Sequence, residues 1–406
     1  MSVLLIGTLD TKGVEIAYVR DRLREAGVAA TVLDAGVLGP PAFVPGIARE
    51  AVFVAAGTTA AAVKAAGDRG HAITLAAQGA AKIAAELHAK GQIAGVLSLG
   101  GSAGTTIGTA AMRALPIGVP KLMVSTLASG QVQPYVGARD VMMLNSVVDI
   151  AGINRISRSV LNNAAAAMAG MVLASGHPAP VSSDKPVIAA SMFGVTTPCV
   201  EVARTILEAA GHEVLVFHAT GAGGRTLEGL IADGIIAGVL DITTTELADE
   251  LAGGILTAGP QRLTAAGMKG IPQVISVGAL DMVNFGPPET TPERYRERRF
   301  YRHNPTVTLM RTTPEEMAKL GVELAEKASA ATGPTAVMLP LKGVSAIDSA
   351  GKPFWWPEAD AALFEAIRGG ITRGELIEVD RHINDPEFAA ACANKLLELM
   401  RQRIFV

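Results

Sequence analysis

The sequence predicts an α/β protein made of two doubly wound, mainly parallel-sheet Rossmann-like domains facing across a cleft. Three observations carry that expectation. Short apolar runs alternate with segments at helical spacing along most of the chain, the pattern of strand–helix–strand units. Gly (44) and Ala are abundant, aromatics are 4% and charged residues 18%, which suits close packing of helices on sheets. The halves also echo each other: residues 93–97 (IAGVL) recur as 236–240, Glu25-Ala26-Gly27 returns as Ala209-Ala210-Gly211, and Val119-Pro120 as Ile271-Pro272, in the same order. A chain of 406 residues exceeds what one core supports. Residues 176–185, with two prolines and two serines, read as the linker, which divides the chain into domains 1–178 and 186–406.

In chain order, residues 2–7 form an apolar strand that ends in Gly7-Thr8-Leu9-Asp10-Thr11-Lys12-Gly13. Ile16, Val19, Leu23 and Ala26 then fall at helical spacing, and Gly27 closes that helix before a strand at 30–33. The first loop offers the hydroxyls of Thr8 and Thr11, Lys12 for phosphate and Asp10 for a magnesium ion, although the glycine spacing of a Walker A loop is missing. A helix start capped by Asp10 or Thr11 reads equally well. Helices are expected over 47–57, 59–66 and 73–90.

The stretch 95–106 is the centre of the first half. Val96, Leu97 and Leu99 make a buried strand, and Gly100, Gly101 and Gly104 then clear side chains where backbone N–H groups converge on an anion. Ser102, Thr105 and Thr106 add hydroxyls, and an alanine-rich helix over 110–115 follows, with its positive end toward the loop. The plainer alternative is an ordinary strand-to-helix turn. Residues 118–126 are one more strand, ending in Ser125 and Thr126. In an open parallel sheet these three polar strand ends meet at one crevice. Residues 129–159 are polar and turn-rich, and a helix over 159–175 closes this half.

The second half repeats the plan with different chemistry. After the second IAGVL comes Asp241-Ile242-Thr243-Thr244-Thr245-Glu246, acidic and without glycine, so the anion loop is not duplicated. Thr220-Gly221-Ala222-Gly223-Gly224-Arg225 offers backbone donors and an arginine fork suited to a carboxylate or phosphate. With Asp241, Asp281 and His303, Arg225 makes a candidate catalytic set for a small anionic substrate. Cys199 sits at an expected helix start, where it reads as a buried small hydrophobe or as a reactive thiol. Arg294, Arg296, Arg298, Arg299 and Arg302 read as an anion clamp or a dimer surface.

Composition narrows the classes further. A formal charge of −3 with mixed signs gives no basic footprint for nucleic acid. Mean hydropathy is +0.35, yet the longest apolar run, 164–174, has 11 residues against the ~20 needed to span a bilayer. Two cysteines, and an amino terminus without a basic region or cleavage site, lead us to expect a cytoplasmic protein without an export signal.

The segments 7–13 (GTLDTKG), 99–105 (LGGSAGT), 120–130 (PKLMVSTLASG), 146–157 (SVVDIAGINRIS), 192–198 (MFGVTTP), 241–249 (DITTTELAD) and 280–286 (LDMVNFG) resemble a family of bacterial, fungal and plant proteins. Its best-known member domain is the amino-terminal inhibitory region of the tomato mosaic virus resistance protein, and the resemblance covers nearly the whole chain. It implies two α/β subdomains, ATP bound by the amino-terminal one, and homodimers. ATP and Mg²⁺ would then fall on the positions already singled out, Thr8, Asp10, Thr11, Lys12, Gly100, Gly101, Ser102, Gly104, Thr105 and Thr106, with Ser125 and Thr126 behind them. The resulting expectation is an ATP–Mg²⁺ enzyme acting on a small carboxylated metabolite. The alternative is a nucleotide-responsive regulatory protein.

Overall fold

The computed structural model describes residues 2–175 and 185–402, in two compact units spanning 1–182 and 183–406. Most of the expected linker, residues 176–184, lies outside the described residues.

The first unit runs β1 (Ser2–Gly7), α1 (Leu9–Glu25), β2 (Ala29–Asp34), α2 (Arg49–Ala55), α3 (Ala60–Ala66), α4 (Arg69–Ala89) and β3 (Gly95–Gly100). It continues with α5 (Ser102–Arg113), β4 (Lys121–Ser125), α6 (Gln133–Val136), β5 (Met142–Asn145) and α7 (Arg155–Ser175). The five strands are parallel in the order β2-β1-β3-β4-β5. Strands buried on both faces are near-continuous apolar runs, as Val3 to Ile6 and Val96 to Leu99 are here. One face packs Val19, Leu23, Leu161 and Met168 of α1 and α7. The other packs Val52, Ala76, Ala80, Ala111 and Met112 of α2, α4 and α5. The short β5 was not expected, because its apolar run, Val141 to Leu144, is only four residues long within the polar, turn-rich stretch 129–159.

The second unit runs β6 (Val187–Met192), α8 (Thr197–Ala209), β7 (Glu213–His218), α9 (Ala222–Ala232), β8 (Gly238–Thr243), α10 (Thr245–Ala252), α11 (Ala265–Lys269) and β9 (Gln273–Gly278). β10 (Met282–Phe285), β11 (Phe300–Asn304) and β12 (Val307–Arg311) follow, then α12 (Pro314–Ser329), β13 (Thr335–Pro340), α13 (Pro357–Gly370), β14 (Glu375–Val379) and α14 (Pro386–Gln402). Six parallel strands lie in the order β14-β13-β9-β8-β6-β7. The remaining three form a small antiparallel sheet, β10-β12-β11, which the sequence reading did not separate from loop.

Counted within its own parallel sheet, each begins with the order 2-1-3-4-5, so the two units share one winding. The sequence echoes fall on equivalent places: IAGVL leads into β3 and β8, the Ala-Gly pairs end the helices before β2 and β7, and the X-Pro pairs precede β4 and β9. Among the described residues, no helix is long and apolar enough to cross a membrane. Because the first unit has clusters on both faces of its own sheet, residues 1–182 expressed alone should unfold in one cooperative thermal transition. A broad, non-cooperative melt would contradict a self-sufficient core.

Candidate functional site

In the first unit, the connections leaving β1 and β3 turn to opposite faces of the sheet, so a crevice opens between Thr8 and Gly101. One residue, Gly101, separates β3 from α5. Gly100 permits so tight a turn: a Cβ there would come within 2.8 Å of Gly104 Cα, and a Cβ on Gly104 would stand 3.1 Å from the Leu99 carbonyl oxygen. The expected long glycine loop is therefore mostly helix. α5 begins at Ser102 rather than at Ala110, and Gly104, Thr105 and Thr106 lie inside it.

This changes what the hydroxyls do. Thr105 Oγ1 donates to the Gly101 carbonyl (2.8 Å) and pairs with Ser125 Oγ (2.7 Å), while Thr106 Oγ1 donates to the Ser102 carbonyl (3.0 Å). Thr105 and Ser125 are fully buried and tie the helix to β4. The open groups are different ones. Gly101 gives α5 no side-chain cap, and the exposed Ser102 hydroxyl and the Thr126 hydroxyl have no hydrogen-bond partner among the described residues. Gly101 has φ −80°, which any residue can adopt, and a Cβ on it would meet nothing nearer than Thr126 Oγ1 at 3.7 Å. Nothing in the protein itself demands glycine at 101.

Across the crevice, Thr8 and Thr11 bond each other through their hydroxyls (2.7 Å). Asp10 Oδ2 accepts from the backbone N–H groups of Leu38 (2.7 Å) and Gly39 (3.2 Å), and Arg49 stands 3.8 Å away. Asp10 thus clamps the turn after β2, leaving Oδ1, packed against Gly36, without a hydrogen bond. Lys12 sits at a kink in α1 and donates through Nζ to the Ile150 carbonyl. Asp34, at the end of β2 where dinucleotide-binding folds present an acid to a ribose, is buried: it accepts from Leu9 N (3.0 Å) and Gly36 N (2.9 Å) and pairs with Arg49 (2.6 Å). The polar residues of 129–159 are also engaged locally: Asp140 pairs with Lys121 (2.7 Å), and Asn154 accepts from the first N–H groups of α7.

A cavity of about 260 Å³ adjoins Thr8, Asp10 and Thr11 and reaches between α3, α4 and α5. Lys64 and Arg69 line it, exposed and without a bonded partner among the described residues. The sequence reading missed both. The available signal was two cations bracketing Gly67-Asp68 in an otherwise alanine-rich stretch.

In the second unit the candidate catalytic residues are not brought together. Arg225 donates to the Thr257 carbonyl (2.7 Å). Asp241 is buried in a bidentate pair with Arg262 (2.5 and 2.6 Å) and accepts from Ser191 Oγ (2.6 Å). Arg262, also fully buried, reaches Glu246 through Nε (2.6 Å), and Glu246 Oε1 accepts from Gly221 N (2.6 Å) and Gly224 N (3.0 Å). The glycine-rich turn expected to hold a substrate anion is thus filled by the protein's own carboxylate. Burial alone would lower the Arg262 pKa, but Asp241, Glu246 and Glu228 outweigh it and raise the pKa well above the ordinary value.

Asp281 lies elsewhere, fully buried, accepting from Ser345 Oγ (2.8 Å) near Arg311, Asp348 and Asp360. His303 is exposed on β11, near the Val307 end of β12, whereas Asp281 adjoins the Arg311 end, roughly 13 Å along the strand. Burial pushes the Cys199 thiol up to about 12, so the small-hydrophobe reading of that residue applies. Among the arginines of 294–302, Arg298 pairs with Glu316 and Arg296 with Glu293, Arg299 lies over Trp356, and Arg294 and Arg298 both stack on Tyr295.

Two stability predictions follow from the buried charges. Arg262→Met leaves Asp241 and Glu246 without their counter-ion and should cost about 3–5 kcal/mol in urea unfolding; a loss under about 1 kcal/mol would contradict the network. Burial first, and Asp348 beside them second, raise Asp281 to about 7 and Asp360 to about 8 from 3.8. The folded state then holds protons that the unfolded chain releases, so this contribution is complete below about pH 4 and is lost as pH rises through 7 to 8. Melting temperature should fall across that window in the wild type and less in Asp360→Asn; equal slopes would count against the cluster.

Family models for the uncharacterised protein family UPF0261 match residues 1–177, as its N-terminal domain, and 185–400, as its C-terminal domain. A UPF0261 protein of Clostridium tetani is 49% identical over 98% of this chain and 99% of its own length. A second, from Rhizobium meliloti, is 49% identical over 96% of each chain. The ToMV resistance protein Tm-1(GCR237) of Solanum lycopersicum is 48% identical over 76% of this chain, which corresponds to 42% of that longer protein. On the strength of both domain models and these full-length matches, the chain belongs to the UPF0261 family.

Proposed function

We propose that the chain is an ATP-binding protein whose site is the crevice at the carboxyl end of the first sheet, with the triphosphate on the start of α5. The uncapped N-terminus of a twelve-residue helix carries this reading. The Gly101 backbone and the hydroxyls of Ser102 and Thr126, unpartnered among the described residues, surround it, and a Cβ placed on Gly101 would meet only Thr126 Oγ1, at 3.7 Å. Backbone N–H groups at a helix start, with the dipole behind them, suit a polyanion.

Among the described residues, no three His, Cys, Asp or Glu side chains are grouped to hold a metal. Mg²⁺ suits this site as an ion carried by the phosphates, with Asp10 Oδ1 as the one protein carboxylate oxygen offered to it. Of the enzyme and regulatory readings, the second is favoured, because the turn over 220–225 already holds Glu246 and offers no second anion cradle. A homodimer belongs to the same reading. The exposed Val14, Leu38 and Val44 are apolar surface that a second copy could cover, and sedimentation at micromolar concentration giving a monomer would remove that part.

Gly101→Val is a clean probe, since its backbone angles and surroundings accept a side chain. It should leave folding intact and weaken ATP–Mg²⁺ by about 2 kcal/mol in calorimetry, the scale of one or two charge-assisted hydrogen bonds. Unchanged affinity in the folded variant would remove α5 as the phosphate site.

A further inference from the structure

The second unit holds a cavity of its own, of about 510 Å³, over the small antiparallel sheet. Strand register places Phe285, Thr308 and Arg302 side by side on one face of that sheet, and Phe300, two residues before Arg302, on the same face. The segment after β10 folds over this face. Tyr295 packs its ring on Phe285, with centroids 5.9 Å apart, and donates its hydroxyl to the Ala252 carbonyl (2.8 Å). Two short 3-10 turns, Pro288–Thr290 and Glu293–Tyr295, the second following Pro292, shape the segment. Because proline fixes its own backbone angle, the space between segment and sheet is built before any ligand arrives.

Its polar groups narrow the occupant. Four charged side chains line the cavity, Glu289, Glu293, Arg296 and Arg302. Arg296 pairs with Glu293, so those two offset each other. Arg302 and Glu289 have no bonded partner among the described residues, neither each other nor any third group. A bulge directly after Arg302 shifts the pairing of β11 with β12, a device that re-aims side chains. Thr308 is only 4% exposed, and its Oγ1, like that of Thr291 opposite, is buried without a hydrogen-bond partner among the described residues. A buried hydroxyl left unsatisfied is costly, and a polar ligand atom in the cavity relieves both. Phe300, Pro288 and Pro292 supply apolar wall.

We infer that this cavity binds a free α-amino acid with an apolar side chain. The carboxylate takes the planar fork of Arg302, with the hydroxyls of Thr308 and Thr291 as further donors, and the ammonium faces Glu289. The side chain rests on Phe300 and the two prolines. A lone anion would leave Glu289 unbalanced beside it and a lone cation would do the same to Arg302, whereas a zwitterion answers both. The volume falls within the ~300–1,000 Å³ of small-molecule sites. The site belongs to the second unit and does not rest on the nucleotide reading.

The test is calorimetry on the full chain, without nucleotide, titrated with L-leucine and L-phenylalanine. Each is compared with its analogue lacking the ammonium, isocaproate or hydrocinnamate, and with its analogue lacking the carboxylate, isoamylamine or phenethylamine. At least one amino acid should bind at millimolar concentration or below, and both of its analogues about tenfold more weakly or worse, the scale of one charge-assisted contact. Arg302→Gln and Glu289→Gln, both at exposed positions, should each weaken that amino acid by a similar factor, about tenfold. Thr308→Val, which keeps the shape and removes the hydroxyl, should weaken it severalfold. The inference is overturned if neither amino acid binds at millimolar concentration. It is equally overturned if an analogue binds as tightly as its parent, since one charge then suffices, or if both surface variants bind like the wild type, since the site then lies elsewhere. Should Thr308→Val not fold, the two surface variants decide. No titration involves ATP, so either result leaves the nucleotide site to its own test.

Discussion

The first unit depends on the meeting of β3 and α5, where two glycines let a helix start one residue after a strand ends. Gly100 and Gly104 remove the Cβ atoms that would hold the elements apart. Thr105 and Ser125 then lock the helix to the neighbouring strand through a buried hydroxyl pair. The result is a helix whose first N–H groups point out of the sheet with no cap to satisfy them. Thr59, Asp68 and Thr313 cap α3, α4 and α12, whereas α5 starts without a side-chain cap, as do α1, α2, α8 and α10.

The second unit shows the same winding put to another use. At its equivalent strand ends the open glycine is replaced by threonines, and Thr196 and Thr243 close the gap with a hydroxyl pair (2.8 Å). Glu246 occupies the backbone donors of the 220–225 turn, and Arg262 neutralises it from behind. Removing charges like these from water is costly unless each is paired and hydrogen-bonded, and here each is. One unit thus leaves its helix N-terminus bare and the other satisfies such a terminus internally, a difference already visible as glycine against acid after the repeated IAGVL.

Much of the fold was legible because parallel strands are apolar on both faces and the helices between them keep a helical period. The echoes pointed to related topology in the two halves, which the shared winding of the two sheets bears out. What the sequence hid was mostly short or local. β5 has an apolar run of only four residues, Val141 to Leu144, and the β10-β12-β11 sheet is interrupted by prolines and arginines that read as loop. At the site, residue type was a good guide to position and a poor one to availability. Ser125 ends β4 as expected, whereas Thr105 and Thr106 fall inside α5 and Asp241 within β8, and polar atoms of Thr105 and Asp241 are spent on neighbours 20 and 50 residues away in sequence, Ser125 and Ser191. Lys64 and Arg69 stood out only as two cations in an alanine-rich stretch, and it takes the packing of α3 and α4 to turn them toward a cavity.

The central claim, that the bare start of α5 is where the polyanion binds, is tested most directly by amide hydrogen exchange of the full chain with and without saturating ATP–Mg²⁺. The account predicts slowed exchange in peptides covering 100–106 and no change over 220–226, where Glu246 already holds the donors. Protection over 220–226 with none over 100–106 would contradict it.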